Sequence, residues 1–368
     1  MPKYIYQSEQ WPHFTWNDHE INLILGKVRH LQGKIIGQMN MLGFSEKEET
    51  ILSNLTLDVL KTSEIEGEIL NSEQVRSSIA RKLGIEYAGM VHSSRDVDGV
   101  VEMLLNATQY FNEPLTEERL FGWHAALFPT GWSGMVKIDI GCYRNDEMEI
   151  ISGPMGKEKV HYLAPSHNIV KAEMDIFLQW LNAESTIDEV LKSAIAHFWF
   201  IIIHPFDDGN GRIARAISDM ILARSENTSQ RFYSLSSQIL NEKKVYYQIL
   251  QKVQYSTGDI TPWLVWFLNC LHSALINTEQ SLNKLYLKTE FWDKHRNTIF
   301  NNRQILMINK LFDGFEGKLK TSKWAKITKC SPDTALRDIR YLIEKNILKQ
   351  ENEGGRSTNY ELVKQSKT

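Results

Sequence analysis

Apolar residues recur along most of the chain at the three- and four-residue spacing of an amphipathic α-helix. A different pattern occupies 148–163, where two β-prone runs flank a Gly-Pro-Met-Gly turn and predict a hairpin. The run 195–203 is apolar except for His197, which indicates a buried helix. The predicted fold class is mainly α. The predicted helices before residue 290 are 17–43, 47–66, 95–112, 116–128, 167–183, 188–203, 211–225, 243–256 and 261–288.

The last part of the chain has its own pattern and its own charge. Helices are predicted at 301–315, 322–328 and 332–346, and strands at 347–350 and 357–362 flank a turn that carries Arg356. Three helices followed by a hairpin with a basic tip are similar to a winged helix. From Arg296 onward there are 15 Lys+Arg and 8 Asp+Glu, whereas residues 1–295 have 27 and 37. The change from a balance of −10 to one of +7 marks a separate unit.

Composition narrows the class of protein further. A chain of 368 residues, 42% of them hydrophobic, can bury a large core in two or three units. No apolar run approaches the ~18–20 residues that cross a bilayer, and the first residues lack a signal-peptide pattern, so we expect no membrane contact. Cys142, Cys270 and Cys330 fit neither a disulfide framework nor a zinc site. The expected location is the cytoplasm.

The stretch His204-Pro-Phe-Asp-Asp-Gly-Asn-Gly-Arg-Ile-Ala-Arg215 carries most of the candidate chemistry. His204 ends the apolar run at a proline, where its imidazole can take a proton from a hydroxyl group. Asp208 is a hard oxygen ligand, suited to a Mg²⁺ ion that bridges nucleotide phosphates. Seven fixed positions of this kind coincide by chance at only ~10⁻⁹ per start site, although each alone is common. The stretch therefore predicts a base beside a metal ligand.

The glycines and arginines of the same stretch predict an anion site. Gly209, Asn210 and Gly211 let the backbone approach an anion, and their N–H groups with the start of the next helix form a positive concavity. Arg212 and Arg215 lie three residues apart on that helix, so both guanidinium groups can reach one polyphosphate. A nucleotide with several phosphates is the expected ligand.

The stretch resembles, at every position, the signature of the Fic family, His-x-Phe-x-Asp/Glu-Gly-Asn-Gly-Arg-x-x-Arg. The resemblance implies a Fic-type helical core that transfers AMP from ATP, with Mg²⁺, to a Ser, Thr or Tyr hydroxyl of a target protein or of the chain itself. It implies His204 as general base and Asp208 as metal ligand. By the same resemblance Asn210 and the glycine amides bind phosphates, and the β and γ phosphates are held by Arg212 and Arg215.

A second motif lies far upstream. The segment Thr62-Ser-Glu-Ile-Glu66-Gly67 is similar to the Ser/Thr-x-x-x-Glu-Gly/Asn inhibitory motif of Fic proteins. The resemblance implies that Glu66 pairs with Arg215 and takes the place of the γ phosphate, because a carboxylate beside a guanidinium competes with the anionic tail of ATP. Since the motif precedes the signature, the chain resembles the class with an N-terminal inhibitory helix.

Two further groups of residues are candidates for contact with the target and with the adenine base. The hairpin corresponds by resemblance to the Fic flap, whose edge at Ile150-Ile151-Ser152-Gly153 would pair with the target, and the alternative is a plain surface hairpin. Tyr246 and Tyr247 are candidates for an adenine pocket, although aromatic residues at helical spacing more often belong to a core.

Together these features predict three parts: an N-terminal helical extension with the inhibitory helix (1–90), a Fic catalytic core (91–290) and a winged-helix-like domain (291–368). The last part offers Arg337, Arg340 and Lys345 to DNA, but Asp338 and neighbouring glutamates interrupt that surface. DNA binding and docking of a protein partner therefore both stay open for residues 291–368.

Two classes of function compete at this point. One is an autoinhibited protein adenylyltransferase, and the other is a DNA-binding or scaffolding regulator whose Fic unit only senses nucleotide. A Fic enzyme that acts mainly by removing AMP is a further alternative. The family resemblance also makes a homo-oligomer plausible, and the sequence identifies no target protein.

Overall fold

The computed structural model describes residues 4–152, 159–351 and 358–363. Within these ranges α-helices dominate and the strands are short antiparallel pairs, which confirms the mainly α fold class. The chain divides into two compact units, Met1–Thr278 and Glu279–Thr368. This division lies twelve residues before the predicted boundary at 290/291, and the three-part organisation stays a prediction. No helix in the described ranges is long and apolar enough to span a membrane.

The first unit is a stack of helices that carries two small hairpins. Short polar side chains accept backbone N–H bonds at several helix starts, among them Asn17, Asn71, Ser94 and Thr116. Its elements are α1 (Asp18–Met41), α2 (Phe44–Ile65), α3 (Ser72–Leu83), α4 (Arg95–Gln109), α5 (Glu117–Leu127), β1 (Trp132–Ser133), β2 (Val136–Lys137), β3 (Glu149–Ser152), β4 (Lys159–Leu163), α6 (His167–Asn182), α7 (Glu189–Ile203), α8 (Asn210–Glu226), α9 (Leu235–Asn241), α10 (Lys243–Val253) and α11 (Thr261–Lys294), in which the boundary between the units falls.

Helix α7 is the buried centre of the first unit. Every residue from Val190 to Ile203 except Ile201 is buried, and α7 packs along α8. His197 lies between Ser218 Oγ (2.9 Å) and Tyr246 Oη (3.0 Å), and burial lowers the pKa of His197 to about 3. His197 is therefore a neutral core residue whose hydrogen bonds tie α7 to α8 and α10.

Close packing of α4 against α5 fixes the wall beside the C-terminal end of α7. A Cβ at Gly99 would lie 1.8 Å from the carbonyl oxygen of Ala126, so only glycine fits at this crossing. The ring of Phe128, just after α5, belongs to the same core as Phe206 in the loop after α7. The loop that carries the signature is thereby held against a rigid pair of helices.

The predicted hairpin is present as β3 and β4. Its register pairs Glu149 with Leu163 and Ile150 with Tyr162, and a bulge follows between Ile150 and Ile151. His161 is the extra residue of this bulge, because Ile151 pairs with Val160. The remainder of the turn, which includes Gly153, lies outside the described residues.

Several elements differ from the sequence expectation. Helix α3 was not predicted, because its buried face includes Ser77 and Ser78 and so lacks a clear apolar period. Helix α9 has seven residues, and β1 and β2 have two each, too few for a periodic signal. Helix α11 continues to Lys294, beyond the expected end at residue 288.

In its described residues, the second unit contains the C-terminal part of α11, three further helices and a two-stranded sheet around its own core. Trp324, Met307, Ile339 and Leu342 are fully buried in it. Ser331 caps α14 through the N–H of Thr334 (3.2 Å), and Pro332 occupies the first helical position. The elements are α12 (Asn302–Phe312), α13 (Thr321–Thr328), α14 (Pro332–Glu344), β5 (Leu348–Gln350) and β6 (Tyr360–Leu362).

Asp338 on α14 faces inward. The prediction that it interrupts the basic surface of this helix was therefore wrong. Its carboxylate accepts hydrogen bonds from Arg303 Nε (2.7 Å) and Asn301 Nδ2 (2.8 Å), and the residue is 6% exposed. Arg337 and Arg340, by contrast, are exposed on the same helix. The turn with Arg356 lies outside the described residues.

Candidate active site

The loop after α7 begins at His204, which leaves the helix in a left-handed conformation with φ 51°. Pro205 follows and cannot donate to the helix, so α7 ends here. His204 Nδ1 lies 3.3 Å from the carbonyl oxygen of Ile201, and a proton on Nδ1 would leave the Nε2 lone pair available. Burial lowers the pKa of His204 to about 4. The imidazole is therefore neutral at neutral pH, as a general base requires.

Asn210 closes the loop on itself. Its Oδ1 accepts the N–H of Phe206 (3.0 Å), and its Nδ2 donates to the carbonyl of Phe206 (2.7 Å). Phe206 is fully buried and stacks on His124, with ring centroids 4.3 Å apart. In this structure the Asn210 amide thus fixes the loop, and its role as a phosphate ligand stays a prediction.

Gly209 and Gly211 form the floor of the anion cradle, which we define as residues 209–211 with the first turn of α8. Gly209 has φ 81°, and a Cβ there would lie 2.9 Å from Phe128 Cε2. The start of α8 at Asn210 provides backbone N–H groups without intrahelical acceptors, the usual setting for a bound phosphate. A side chain at position 209 would be excluded both by its backbone angle and by Phe128.

Arg215 is buried beside the cradle and is held by the segment at the end of α2. Its Nη2 lies 2.6 Å from Glu66 Oε1, and its Nε donates to Thr62 Oγ1 (2.7 Å). A Cβ at Gly211 would lie only 2.1 Å from Glu66 Oε1, so the carboxylate occupies the space that the glycine leaves open. The structure thus brings together Thr62, Glu66, Gly211 and Arg215, and the Glu66 carboxylate fills the cradle.

Arg212 is held in the same way by Glu68, a residue that the sequence reasoning missed. Arg212 Nη1 lies 2.7 Å from Glu68 Oε2, and the guanidinium stands 5.0 Å from the centre of the Phe128 ring. The Arg212 side chain is 2% exposed, while that of Glu68 is 46% exposed. Burial raises the pKa of Glu68, and Arg212 opposes that rise. Gly67, with φ 90°, turns the chain between the two acids.

Asp208 lies at the mouth of the cradle. Its Oδ1 accepts the N–H of Gly209 (2.6 Å), and its Oδ2 accepts a hydrogen bond from Ser133 in β1. Its side chain is 43% exposed. In the part of the chain that the structure describes, no group of three or more His, Cys, Asp or Glu side chains could hold a metal ion. A half-exposed single carboxylate suits Mg²⁺, which keeps several waters and takes further oxygens from phosphates.

The two candidate tyrosines have different environments. Tyr246 is 2% exposed, and its ring packs against Trp266 with centroids 5.3 Å apart, so it is part of the core. Tyr247 is 43% exposed, and the charges of Glu66 and Arg215 both act on its hydroxyl. Of the pair, only Tyr247 offers a ring face to a ligand, and the adenine contact stays a prediction.

The flap is attached to the loop of His204. Tyr162 of β4 is buried and donates its hydroxyl to the carbonyl of Ile202 (2.7 Å), two residues before His204. Ile150, Ile151 and Ser152 lie in β3, and Gly153 falls outside the described residues. Pairing of this edge with a target segment stays a prediction.

Parts of the chain are similar to known protein families. Residues 4–85 match a domain of unknown function, and residues 114–222 match the Fic/DOC family. The chain is 32% identical over 184 residues to a probable protein adenylyltransferase of Aquifex aeolicus, an alignment that covers 50% of each chain. It is 44% identical over 62 residues to the protein adenylyltransferase fic-1 of Caenorhabditis elegans, which covers 16% of this chain and 12% of that protein. The chain thus spans half or less of the length of these relatives.

Two solved structures share the fold. A Fic family protein from Desulfovibrio desulfuricans G20 aligns with a TM-score of 0.54 and 20% identity, over 95% of this chain and 97% of that one. A Fic domain containing signaling protein from Bacteroides thetaiotaomicron aligns with a TM-score of 0.50 and 20% identity, over 72% and 98%. At this level of identity the likeness supports the helical fold alone.

Removal of the Glu66 carboxylate should open the cradle to inorganic pyrophosphate. In Glu66→Gly the buried charge of Arg215 loses its partner, so the variant should have a lower Tm than the parent. Pyrophosphate should then raise the Tm of the variant by roughly 3 °C or more and that of the parent much less, because only the variant has a free anion site. Thermal unfolding at matched ionic strength measures both shifts.

Glu64→Gly is the matched control, since Glu64 lies on the same helix end and pairs with Lys61 (2.6 Å) at the surface. It carries the same change of charge and backbone freedom without touching Arg215. An equal pyrophosphate shift in the two variants would contradict the assignment of the cradle.

Proposed function

We propose that this chain, whose residues 114–222 match the Fic/DOC family, is an autoinhibited protein adenylyltransferase that transfers AMP from ATP to a Ser, Thr or Tyr hydroxyl. The observation that carries the proposal is the position of a neutral His204 at the head of a cradle with two buried arginines, Arg212 and Arg215. The names of the partial relatives support the same reaction type.

The reaction follows from the charges of the site. The β and γ phosphates of ATP would lie on the N–H groups of the cradle, between the Arg212 and Arg215 guanidinium groups. Asp208 would hold Mg²⁺, which neutralises phosphate charge when it is bound. His204 Nε2 takes the proton of the acceptor hydroxyl as that oxygen attacks the α phosphorus. The bond from the α phosphorus to the bridging oxygen breaks, and pyrophosphate leaves.

Autoinhibition would come from two carboxylates at the end of α2. Glu66 lies against Gly211 and Arg215, where the terminal phosphate would be placed, and Glu68 engages Arg212. Both acids belong to one turn of chain around Gly67, so a single displacement of this turn would free both arginines. The acceptor is a hydroxyl of a target protein or of the chain itself, placed by pairing with β3 of the flap.

Release of the inhibitory contact should produce labelling that depends on His204. The Glu66→Gly protein, incubated with ATP labelled in the α phosphate and Mg²⁺, should label itself or a protein in a cell extract well above the parent. The further change His204→Ala should lower that rate by about 10²-fold or more, because a positioned base contributes at least this factor. Binding of ATP to Glu66→Gly without any label would favour the nucleotide-sensing regulator instead.

The contact between Glu68 and Arg212 should add to the block by Glu66. Glu68→Gln alone should change ATP binding little, since Glu66 still fills the cradle. In the Glu66→Gly background, Glu68→Gln should tighten ATP binding by about 5- to 10-fold, which corresponds to ~1–1.4 kcal/mol. Calorimetry on the single and double variants measures this, with Glu64→Gln as the control of equal charge change. Equal ATP affinity of Glu66→Gly and Glu66→Gly/Glu68→Gln would exclude the second contact.

For the second unit we propose a winged-helix domain that binds DNA, with docking of a protein as the competing role. The exposed Arg337 and Arg340 on α14, together with the inward turn of Asp338, favour DNA. Its affinity for duplex DNA should fall more than tenfold between 50 and 200 mM salt, and Arg337→Gln/Arg340→Gln should reduce the salt slope by about two. Affinity that does not change with salt would favour a protein partner.

A further inference from the structure

The Arg144 guanidinium lies between the two ends of the flap and the loop of His204. The residue is 2% exposed. Its Nε donates to the carbonyl of His204 (2.9 Å), its Nη1 to that of Asp146 (2.7 Å), and its Nη2 to that of Pro165. Asp146 precedes β3 by three residues and Pro165 follows β4 by two. One side chain therefore joins the entry to the flap, the exit from it and the candidate base.

The hydrogen bonds of Arg144 hold backbone segments in position and do not neutralise a carboxylate. Among the described residues no carboxylate forms a salt bridge with it, and its three bonds all go to backbone carbonyl oxygens. A buried cation costs free energy unless its N–H groups find acceptors, and these carbonyls supply them. The planar fork of an arginine fixes the directions of its acceptors, which the single ammonium group of a lysine does not.

The His204 backbone needs such support. Its left-handed angle of 51° is uncommon for a residue with a side chain, and a strained angle persists only where the surroundings fix it. Arg144 fixes it twice, because its backbone N–H also donates to the carbonyl of Pro205 (2.9 Å). Beside burial, the positive charge of Arg144 also lowers the pKa of His204.

The flap is held to the same region at further points. The Tyr162 hydroxyl donates to the carbonyl of Ile202 (2.7 Å) on α7. The carbonyl of His161, the bulge residue, accepts from Gln254 Nε2 (2.8 Å) and from the hydroxyl of Tyr255 (3.1 Å). These bonds hold β4 at its bulge, so side chains of Tyr162, Gln254 and Tyr255 contribute to the position of the hairpin base.

We propose that Arg144 is a positioning residue, which fixes the flap relative to His204 and thereby places the acceptor hydroxyl at the imidazole. This inference rests on the proposed function, because it assigns the flap to the acceptor. The hydrogen bonds that Arg144 makes with described residues go to the two ends of the flap and to the carbonyls of His204 and Pro205, and none of them goes to the cradle residues 209–211. We therefore assign its contribution to the acceptor side of the reaction and not to ATP binding.

The test separates ATP binding from transfer in the Glu66→Gly background. Arg144→Lys keeps the charge but can satisfy fewer of the three carbonyls. It should leave the Kd for ATP within about threefold of the background value and lower the labelling rate at least tenfold. Arg119→Lys is the matched control, since Arg119 also donates to carbonyls, those of Asn106 and Tyr110, between α4 and α5. That variant should lose Tm without losing labelling rate.

Tyr162→Phe is the second variant, for the case in which Arg144→Lys does not fold. It removes only the hydroxyl that bonds to Ile202 and should lower the labelling rate severalfold with ATP affinity unchanged. Parent-like labelling by both variants, or a loss of ATP affinity equal to the loss of label, would overturn the inference. If Glu66→Gly itself shows no label that depends on His204, the proposed function fails, which is a different result.

Discussion

The site depends on a buried guanidinium that must always have an anion beside it. Arg215 is 2% exposed, and the Thr62 oxygens satisfy part of its hydrogen bonding but none of its charge. A cation removed from water without a counter-charge is strongly destabilising, so either the Glu66 carboxylate or a phosphate has to stand there. In the proposed enzyme, the arginine that would bind the nucleotide is thus the same group that binds Glu66 at the end of α2. A change at Arg215 would therefore alter the affinity for ATP and the affinity for Glu66 together.

The chemistry that lies within one short stretch could be predicted from the sequence. His204, Asp208 and the glycines up to Gly211 share one loop and helix start, so their spacing alone places them together. Glu66 was predicted because its motif is itself local, even though its partner, Arg215, is 149 residues away. A contiguous motif of this kind determines the local backbone conformation, and that conformation places the side chains of the site.

Contacts between distant segments without a motif could not be predicted. In the sequence Glu68 looks like any surface glutamate. Only the folded chain brings it to Arg212, which is 144 residues away. The three acceptors of Arg144 are backbone carbonyls, which every residue has. Residue types in the sequence therefore do not identify them. Asp338 was misjudged for the same reason, because its partner Arg303 lies on α12, 35 residues away, and no motif marks the pair. The sequence shows which interactions a side chain can make, but it does not show which distant residue will be its partner in the fold.

The two carboxylates that pair with Arg215 and Arg212 belong to the same chain as the cradle, so the proposed inhibition is intramolecular. Glu66 and Glu68 are presented to the cradle at an effective concentration that the fold sets, and dilution of the protein leaves that concentration unchanged. In the proposed enzyme, ATP would compete with these two carboxylates of the same chain, and the balance would shift only when the ATP concentration changes or when the end of α2 is displaced. A partner that binds α2 and displaces its end would release Arg215 and Arg212 without contacting the nucleotide.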